Sequence, residues 1–314
     1  MNNAVIDIGT NTVILLVAAS SGKKKIRVLR DRAVITRLGR GLTENHFLLS
    51  DAMQRTKKVL SDFRKECEGL KVKKIVAVGT AACRIAANTQ VFADTVKAEL
   101  GFKIEILSPE QEAENTFLAA WKDFGSAKTK LIVVDIGGGS TEVVTGPVSR
   151  LKTAPQTVMS LPLGTVRLTE EYVHSDPIDE DQFQRLKVTI RQGVRDELDD
   201  FYPKDFNPAD YTIVATAGTA TTLATLDKKL KVYRPEKVHG SILKKGRLQE
   251  MIDQLAPLPV KERQKLPGME PLRADVILAG AILLNEILDF FGKSEVVISD
   301  RGLRYGVCYK KFVK

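Results

Sequence analysis

Residues 4–16, AVIDIGTNTVILL, and residues 133–144, VVDIGGGSTEVV, follow one plan: an apolar run, Asp-Ile-Gly, a short polar turn and a second apolar run. Superimposed, they place Asp7 over Asp135 and Gly9 over Gly137, both 128 positions apart, and Thr10, Asn11 and Thr12 over Gly138, Gly139 and Ser140. The matching flanks favour duplication over coincidence and predict two related α/β halves. Each turn combines glycine with small hydroxyl or amide side chains. Glycine lets the backbone come close to an anion with successive N–H groups pointing at one oxygen. Thr10, Asn11, Thr12, Ser140 and Thr141 add donors at the same places. One such turn alone reads as an ordinary hairpin; two in matched positions, each after a strand-end aspartate, read as phosphate cradles that would share one cleft.

The rest of the chain agrees with an α/β plan. SDAMQRTKKVLSDFRKECEGL is amphipathic at helical spacing, with Ser50 or Asp51 as the expected N-cap. KKIVAVGTAACR reads as strand then turn, and NTQVFADTVKAELG as a helix closed by Gly101. SPEQEAENTFLAAW opens a helix with Ser108 as N-cap, Pro109 at the first position and Gln111 at the capping-box position. In the second half, YTIVATAG reads as a strand, TATTLATL as a turn opening a helix, and RADVILAGAILLNEILDFFG as an apolar helix.

Composition excludes whole classes. With 43% hydrophobic and 28% charged residues among 314, a disordered or collagenous chain is ruled out and two domains are expected. The longest apolar run, Val276 to Leu284, falls far short of the ~20 residues of a membrane span. Three cysteines without CxxC spacing, and three histidines, make a disulfide framework or a zinc site poor bets. The opening MNNAVIDIGTNT shows no secretory pattern, so the cytoplasm is the expected compartment. A net charge of +9 favours polyanionic partners, but the basic residues are scattered in short groups, among them Lys23-Lys24-Lys25 and Lys244/Lys245. Aromatics at 6% give little support for stacking nucleic acid.

The motifs narrow the chemistry. No GxxxxGK[ST] string occurs, which argues against a P-loop, and the glycine turns join strands, unlike the strand-to-helix GxGxxG of dinucleotide folds. Asp7 and Asp135 could hold Mg²⁺ directly or through water, or merely cap their turns. Arg84 in GTAACR could grip phosphate as a bidentate fork, although a surface ion pair is the commoner role for a lone arginine. Glu110, Glu112 and Glu114 suit a helix N-terminus, and any one of them could instead act as base toward an attacking water. Periodicity alone does not choose among the three.

Taken in order, AVIDIGTNT, VGTAACR, LSPEQEAENTF, VVDIGGGSTEVV, SLPLGTVRLTE, TAGTATTLATL, RADVILAGAILL and ISDRGLRYGV resemble the exopolyphosphatase/guanosine pentaphosphate phosphohydrolase family. The resemblance is to its short, two-domain members. It implies two ribonuclease H-like domains of the actin, acetate kinase and sugar kinase superfamily flanking a cleft. The expected domains are residues 1–125 plus about 297–314, and residues 126–296. The implied reaction is hydrolysis of a terminal phosphoanhydride of polyphosphate or guanosine pentaphosphate, with Mg²⁺ as cofactor. Glu112 matches the family's general base, while Glu142 and Asp135 match carboxylates assisting water or metal, Asp7 being the second expected metal ligand. Arg84 matches a phosphate-binding arginine, Gly137, Gly138, Gly139, Ser140 and Thr141 a phosphate loop, and Gly218 and Thr219 a further one. Two departures stand out: Ile14 occupies a position that is often basic, and GTAACR replaces a GTSAxR-like string. A kinase of the superfamily and an alarmone-binding protein with little turnover are the alternatives. Nucleic acid and membrane are not expected as partners, and a homodimer is left open.

Overall fold

Both faces of the first strand are covered, which is why its sequence reads as a continuous apolar run rather than an alternation. In β1 (Asn2–Ile8), Ala4, Ile6 and Ile8 enter one core cluster and Val5 enters another. The computed structural model describes residues 1–20, 26–126, 129–146, 157–199, 201–202 and 206–313; the Lys23-Lys24-Lys25 group lies outside them. The chain divides into two units, Met1–Ala119 with Gly302–Lys314, and Ala120–Arg301.

In the first unit β2 (Thr12–Ser20) runs antiparallel to β1, and β3 (Ile26–Ile35) antiparallel to β2. On the other side β4 (Lys74–Gly79) and β5 (Ile104–Ile106) continue in parallel, giving the order β3-β2-β1-β4-β5. The helices are α1 (Leu42–Asn45), α2 (Ser50–Gly69), α3 (Ala81–Ile85), α4 (Thr89–Leu100) and the start of α5 (Pro109–Phe124). Leu60, Phe63 and Cys67 of α2 and Phe92 and Val96 of α4 fill one face of the sheet. The N-cap of α2 is Leu49, without a side-chain bond, so Ser50 and Asp51 are its first helical residues rather than its cap. GTAACR is not a turn: α3 begins directly after Thr80.

The second unit repeats the scheme. β6 (Lys130–Ile136), β7 (Thr141–Gly146) and β8 (Thr157–Leu161) are antiparallel, and β9 (Tyr211–Thr216) lies parallel to β6. With β10 (Ser241–Lys244) and β11 (Glu295–Ile298) the order is β10-β11-β9-β6-β7-β8. Read from the opposite edge, its first five strands repeat the first sheet, and β10 is an addition. The helices are α6 (Thr165–Tyr172), α7 (Glu180–Asp199), α8 (Ala217–Asp227), α9 (Pro235–Val238), α10 (Lys245–Leu255), α11 (Val260–Arg263) and α12 (Ile277–Phe290). α12 is buried at every position from Ile277 to Leu288, as expected of a helix that is apolar all round. The chain then returns to the first unit as α13 (Leu303–Phe312), whose Leu303, Val307 and Cys308 pack with Val5, Val78 and Ala119. Among the described residues no helix is long and apolar enough to cross a membrane.

Candidate active site

In the first unit the hairpin between β1 and β2 closes with the Gly9 amide donating to the Thr12 carbonyl at 3.0 Å. The turn's own carbonyls are taken up by the segment after β3. Thr36 and Arg37 donate to Asn11 O at 3.0 and 2.9 Å, and Gly39 donates to Thr10 O at 2.9 Å. Among the described residues the amides of Thr10 and Asn11 donate to no backbone carbonyl, and the buried Asn11 Nδ2 has no partner. Donors left over where acceptors are already used are what an anion cradle requires. Thr80, at the end of β4, donates its amide to Ile8 O at 3.2 Å, which brings α3 beside the turn.

Arg84 on α3 then reaches the start of α5. Its Nη1 donates to Leu107 O at 3.1 Å and to Glu112 Oε2 at 2.5 Å. The side chains of this pair are 17% and 11% exposed, so it is not a surface bridge. Burial pushes the Glu112 carboxyl above its ordinary range, and the Arg84 guanidinium works against that shift. Of the three glutamates opening α5, Glu112 is the buried one and the one paired with Arg84. Glu110 is exposed and held low by the Ser108 hydroxyl, and Glu114 is exposed beside Lys310. The predicted capping box is present: Gln111 N donates to Ser108 Oγ at 3.2 Å, and Ser108 N to Gln111 Oε1 at 3.0 Å. Cys83, next to Arg84, is pushed up to about 12 by burial and stays a neutral thiol, so nucleophilic cysteine chemistry has no footing here.

The second unit repeats the closing bond of the turn, and again a following segment takes up its carbonyls, though not the equivalent ones. Gly137 N donates to Ser140 O at 3.0 Å, the same bond 128 positions on. The first amides of α6 take the turn's carbonyls: Thr165 to Gly137 O at 3.0 Å, Val166 and Arg167 to Gly138 O at 3.0 and 3.2 Å. Gly164 has to be glycine, because a Cβ there would lie 2.4 Å from Gly138 O. Across the hairpin Asp135 pairs with Glu142, where Asp7 pairs with Ile14 in the first unit. Residues directly opposite in a ladder share a face. Glu142 is 2% exposed, and its Oε1 accepts from Ser140 Oγ at 2.7 Å and Ser160 Oγ at 2.9 Å. Beyond β9 the chain turns into α8 through Ala217, which is left-handed at φ 67°. Gly218 follows, and Thr219 Oγ1 stands 3.5 Å from Ile136 O.

The chain as a whole has known relatives. The model of the Ppx/GppA phosphatase family matches residues 16–314. The chain belongs to this family. It is 32% identical to exopolyphosphatase 2 of Mycobacterium tuberculosis over 97% of this chain and 96% of that one. It is also 32% identical to a bifunctional 3-dehydroquinate synthase/phosphatase of Fusobacterium nucleatum, over 95% of this chain but only 44% of that longer protein. The crystal structure of the Ppx/GppA family member of Aquifex aeolicus superposes with a TM-score of 0.80 at 35% identity, covering 99% and 97% of the two chains. The fold is accordingly the actin-like, ribonuclease H-like one of Ppx/GppA proteins.

Within this family member the structure adds residues that the motifs did not. Ser160 on β8 holds Glu142, and the Arg273 guanidinium lies against Gly218, where a Cβ would be 2.0 Å from Arg273 Cζ. The segments that tie the turns also repeat: LGRGLTE at 38–44 and LGTVRLTE at 163–170 differ by one inserted residue. Gly39 and Gly164 are the matching close approaches, the former facing Thr10 Cγ2 at 2.4 Å from a built Cβ. No set of three or more His, Cys, Asp or Glu side chains placed to hold a metal occurs among the described residues. Asp135 and Glu142 do supply hard carboxylate oxygens on one face, which suits Mg²⁺, an ion that takes one or two carboxylates and keeps waters or phosphate for the rest.

Proposed function

We propose that the chain is an exopolyphosphatase that removes the terminal phosphate of inorganic polyphosphate as orthophosphate, with guanosine pentaphosphate as a second substrate. The observation that carries this reading is Glu112. Alone among the three glutamates opening α5 it is buried, and it is paired with an arginine suited to phosphate. In the first unit Glu112 accepts the proton of the attacking water, and Arg84 with the Thr10–Asn11–Thr12 turn meets phosphoryl oxygens. In the second unit the Gly137–Thr141 turn offers its amides to the polyanion, with Gly218 and Thr219 as further contacts. In the second unit Asp135 with Glu142, and in the first unit Asp7, offer carboxylates that would suit Mg²⁺, and a bound ion would supply charge to neutralise phosphoryl oxygens. Positioning and charge neutralisation then supply most of the rate, as in phosphoryl transfer generally. The exopolyphosphatase name of a relative aligned over nearly its full length supports the same substrate class.

Orthophosphate release from long-chain polyphosphate, tripolyphosphate and guanosine pentaphosphate, measured side by side without an acceptor, tests the reading. Glu112→Gln is expected to lose 10²- to 10⁴-fold in turnover, the usual span for a general base (~2.7–5.4 kcal/mol), while still binding polyphosphate. A variant as active as wild type rejects the base. Tight guanosine pentaphosphate binding with no phosphate release favours the alarmone-binding alternative, and transfer to an acceptor favours a kinase.

A further inference from the structure

Arg84 has two edges, and the structure uses one. Its Nη1 carries both described hydrogen bonds, to Leu107 O and Glu112 Oε2, while Nε and Nη2 donate to no described residue. Glu112 is divided in the same way: Oε2 faces the guanidinium, and Oε1 accepts from no described residue. Resting on the reading above, we propose that Arg84 is a positioning residue for the base as well as a phosphate contact, bridging the two. Nη1 fixes Glu112 through Oε2 so that Oε1 receives the water, and the Nε/Nη2 edge takes the phosphoryl oxygens that the water attacks. A planar fork with fixed donor directions can hold both partners at a set separation, which a lysine ammonium on a flexible stem cannot. The Leu107 carbonyl supplies the third point that keeps the fork from rotating.

Cys83, on the same short helix, feels Arg84, Asp7 and Glu112 and remains neutral, and Glu110 lies in the field of Arg84 from the exposed face of α5. Arg84 is thus the cation that offsets the burial of Glu112.

The test is the kinetics of Arg84→Lys and Arg84→Ala on long-chain polyphosphate at fixed Mg²⁺, with kcat and KM followed across pH and thermal melting as a folding control. A phosphate contact alone predicts a raised KM with kcat and its acid limb unmoved. The bridge predicts that kcat also falls, by about a hundredfold in Arg84→Ala, and that the acid limb of kcat moves to higher pH because burial of Glu112 is then unopposed. Millimolar guanidinium is expected to restore part of kcat to Arg84→Ala. Arg84→Lys is expected to recover KM more than kcat, and it carries the test if the alanine variant does not fold. A KM effect with an unmoved kcat and acid limb in both variants overturns the bridge and leaves the exopolyphosphatase reading standing. A wild-type protein that releases no phosphate from any of the three substrates overturns both.

Discussion

The two hairpin turns share their closing bond, their donor-rich bend and a following segment that takes up carbonyls of the turn, yet they differ in what stands opposite the aspartate. Opposite Asp135 stands Glu142, held by two serine hydroxyls; opposite Asp7 stands Ile14. The two turns share a backbone device and differ in side-chain chemistry. The second unit carries its extra carboxylate on the hairpin itself. The first carries its own on α5, at Glu112, outside the duplicated stretch and paired with Arg84. On the proposal above, the repeated parts serve binding and the unique parts serve the reaction.

That division is broken most severely by removing the unique parts. Beside the loss expected for Glu112→Gln, Glu142→Gln keeps an oxygen that can accept from Ser140 and Ser160 and removes only the charge. It is expected to lose about a hundredfold in turnover, less than Glu112→Gln. If both carboxylates serve one anhydride, the double variant loses less than the product of the two single losses; strictly multiplicative losses would mean independent roles. Phosphate release by the three variants, measured on one substrate, reads this directly.

The repeated parts predict a smaller and unequal effect. In Gly164→Ala the new methyl meets the Gly138 and Gly139 backbone, which cannot give way without moving the turn. In Gly39→Ala it meets the Thr10 methyl and, at 3.3 Å, the Ala82 Cβ, side-chain atoms rather than backbone. Overpacking costs about 1–3 kcal/mol, and the Gly164 variant is expected at the upper end, with a raised KM for polyphosphate. The Gly39 variant is expected at the lower end. Urea melts and KM values that fall in the opposite order would show that the two turns are not held alike.

Much of this was legible before any coordinates, for a physical reason: β1 and β6 are buried on both faces, so both copies kept dense apolar flanks around Asp-Ile-Gly. The parts that stayed hidden depend on tertiary contact. α3 is five residues long, too short for periodicity, and the residue before it, Thr80, is tied to Ile8 of the neighbouring strand. The stretch from Lys228 to Pro271 holds short elements such as α9, β10 and α11 that carry little pattern of their own. The LG…LTE repeat is masked in the sequence because one copy has an extra residue, so no fixed offset aligns it. The choice among Glu110, Glu112 and Glu114 was open to geometry: at 100° per residue the outer two share a face and Glu112 points away from them. Which face is inward required the Arg84 contact.

The smallest expected effect probes the position opposite the first aspartate. Ile14 is partly exposed and shares a face with Asp7, so a longer cationic side chain can be accommodated there without displacing core atoms. Ile14→Arg is expected to lower KM for long polyphosphate by about two- to fivefold, the equivalent of a ~0.5–1 kcal/mol exposed charge interaction. The gain should shrink as salt rises, because a partly exposed pair is screened over a Debye length of about 10 Å at 0.1 M. Part of the new charge will be spent on Asp7 across the ladder, which sets the low ceiling. Ile14→Gln, similar in reach but neutral, separates charge from bulk: an equal drop in KM for both variants would mean that the isoleucine merely obstructs the turn. A salt-sensitive drop confined to the arginine would mean that the first hairpin contacts phosphate and lacks only a cation at this position.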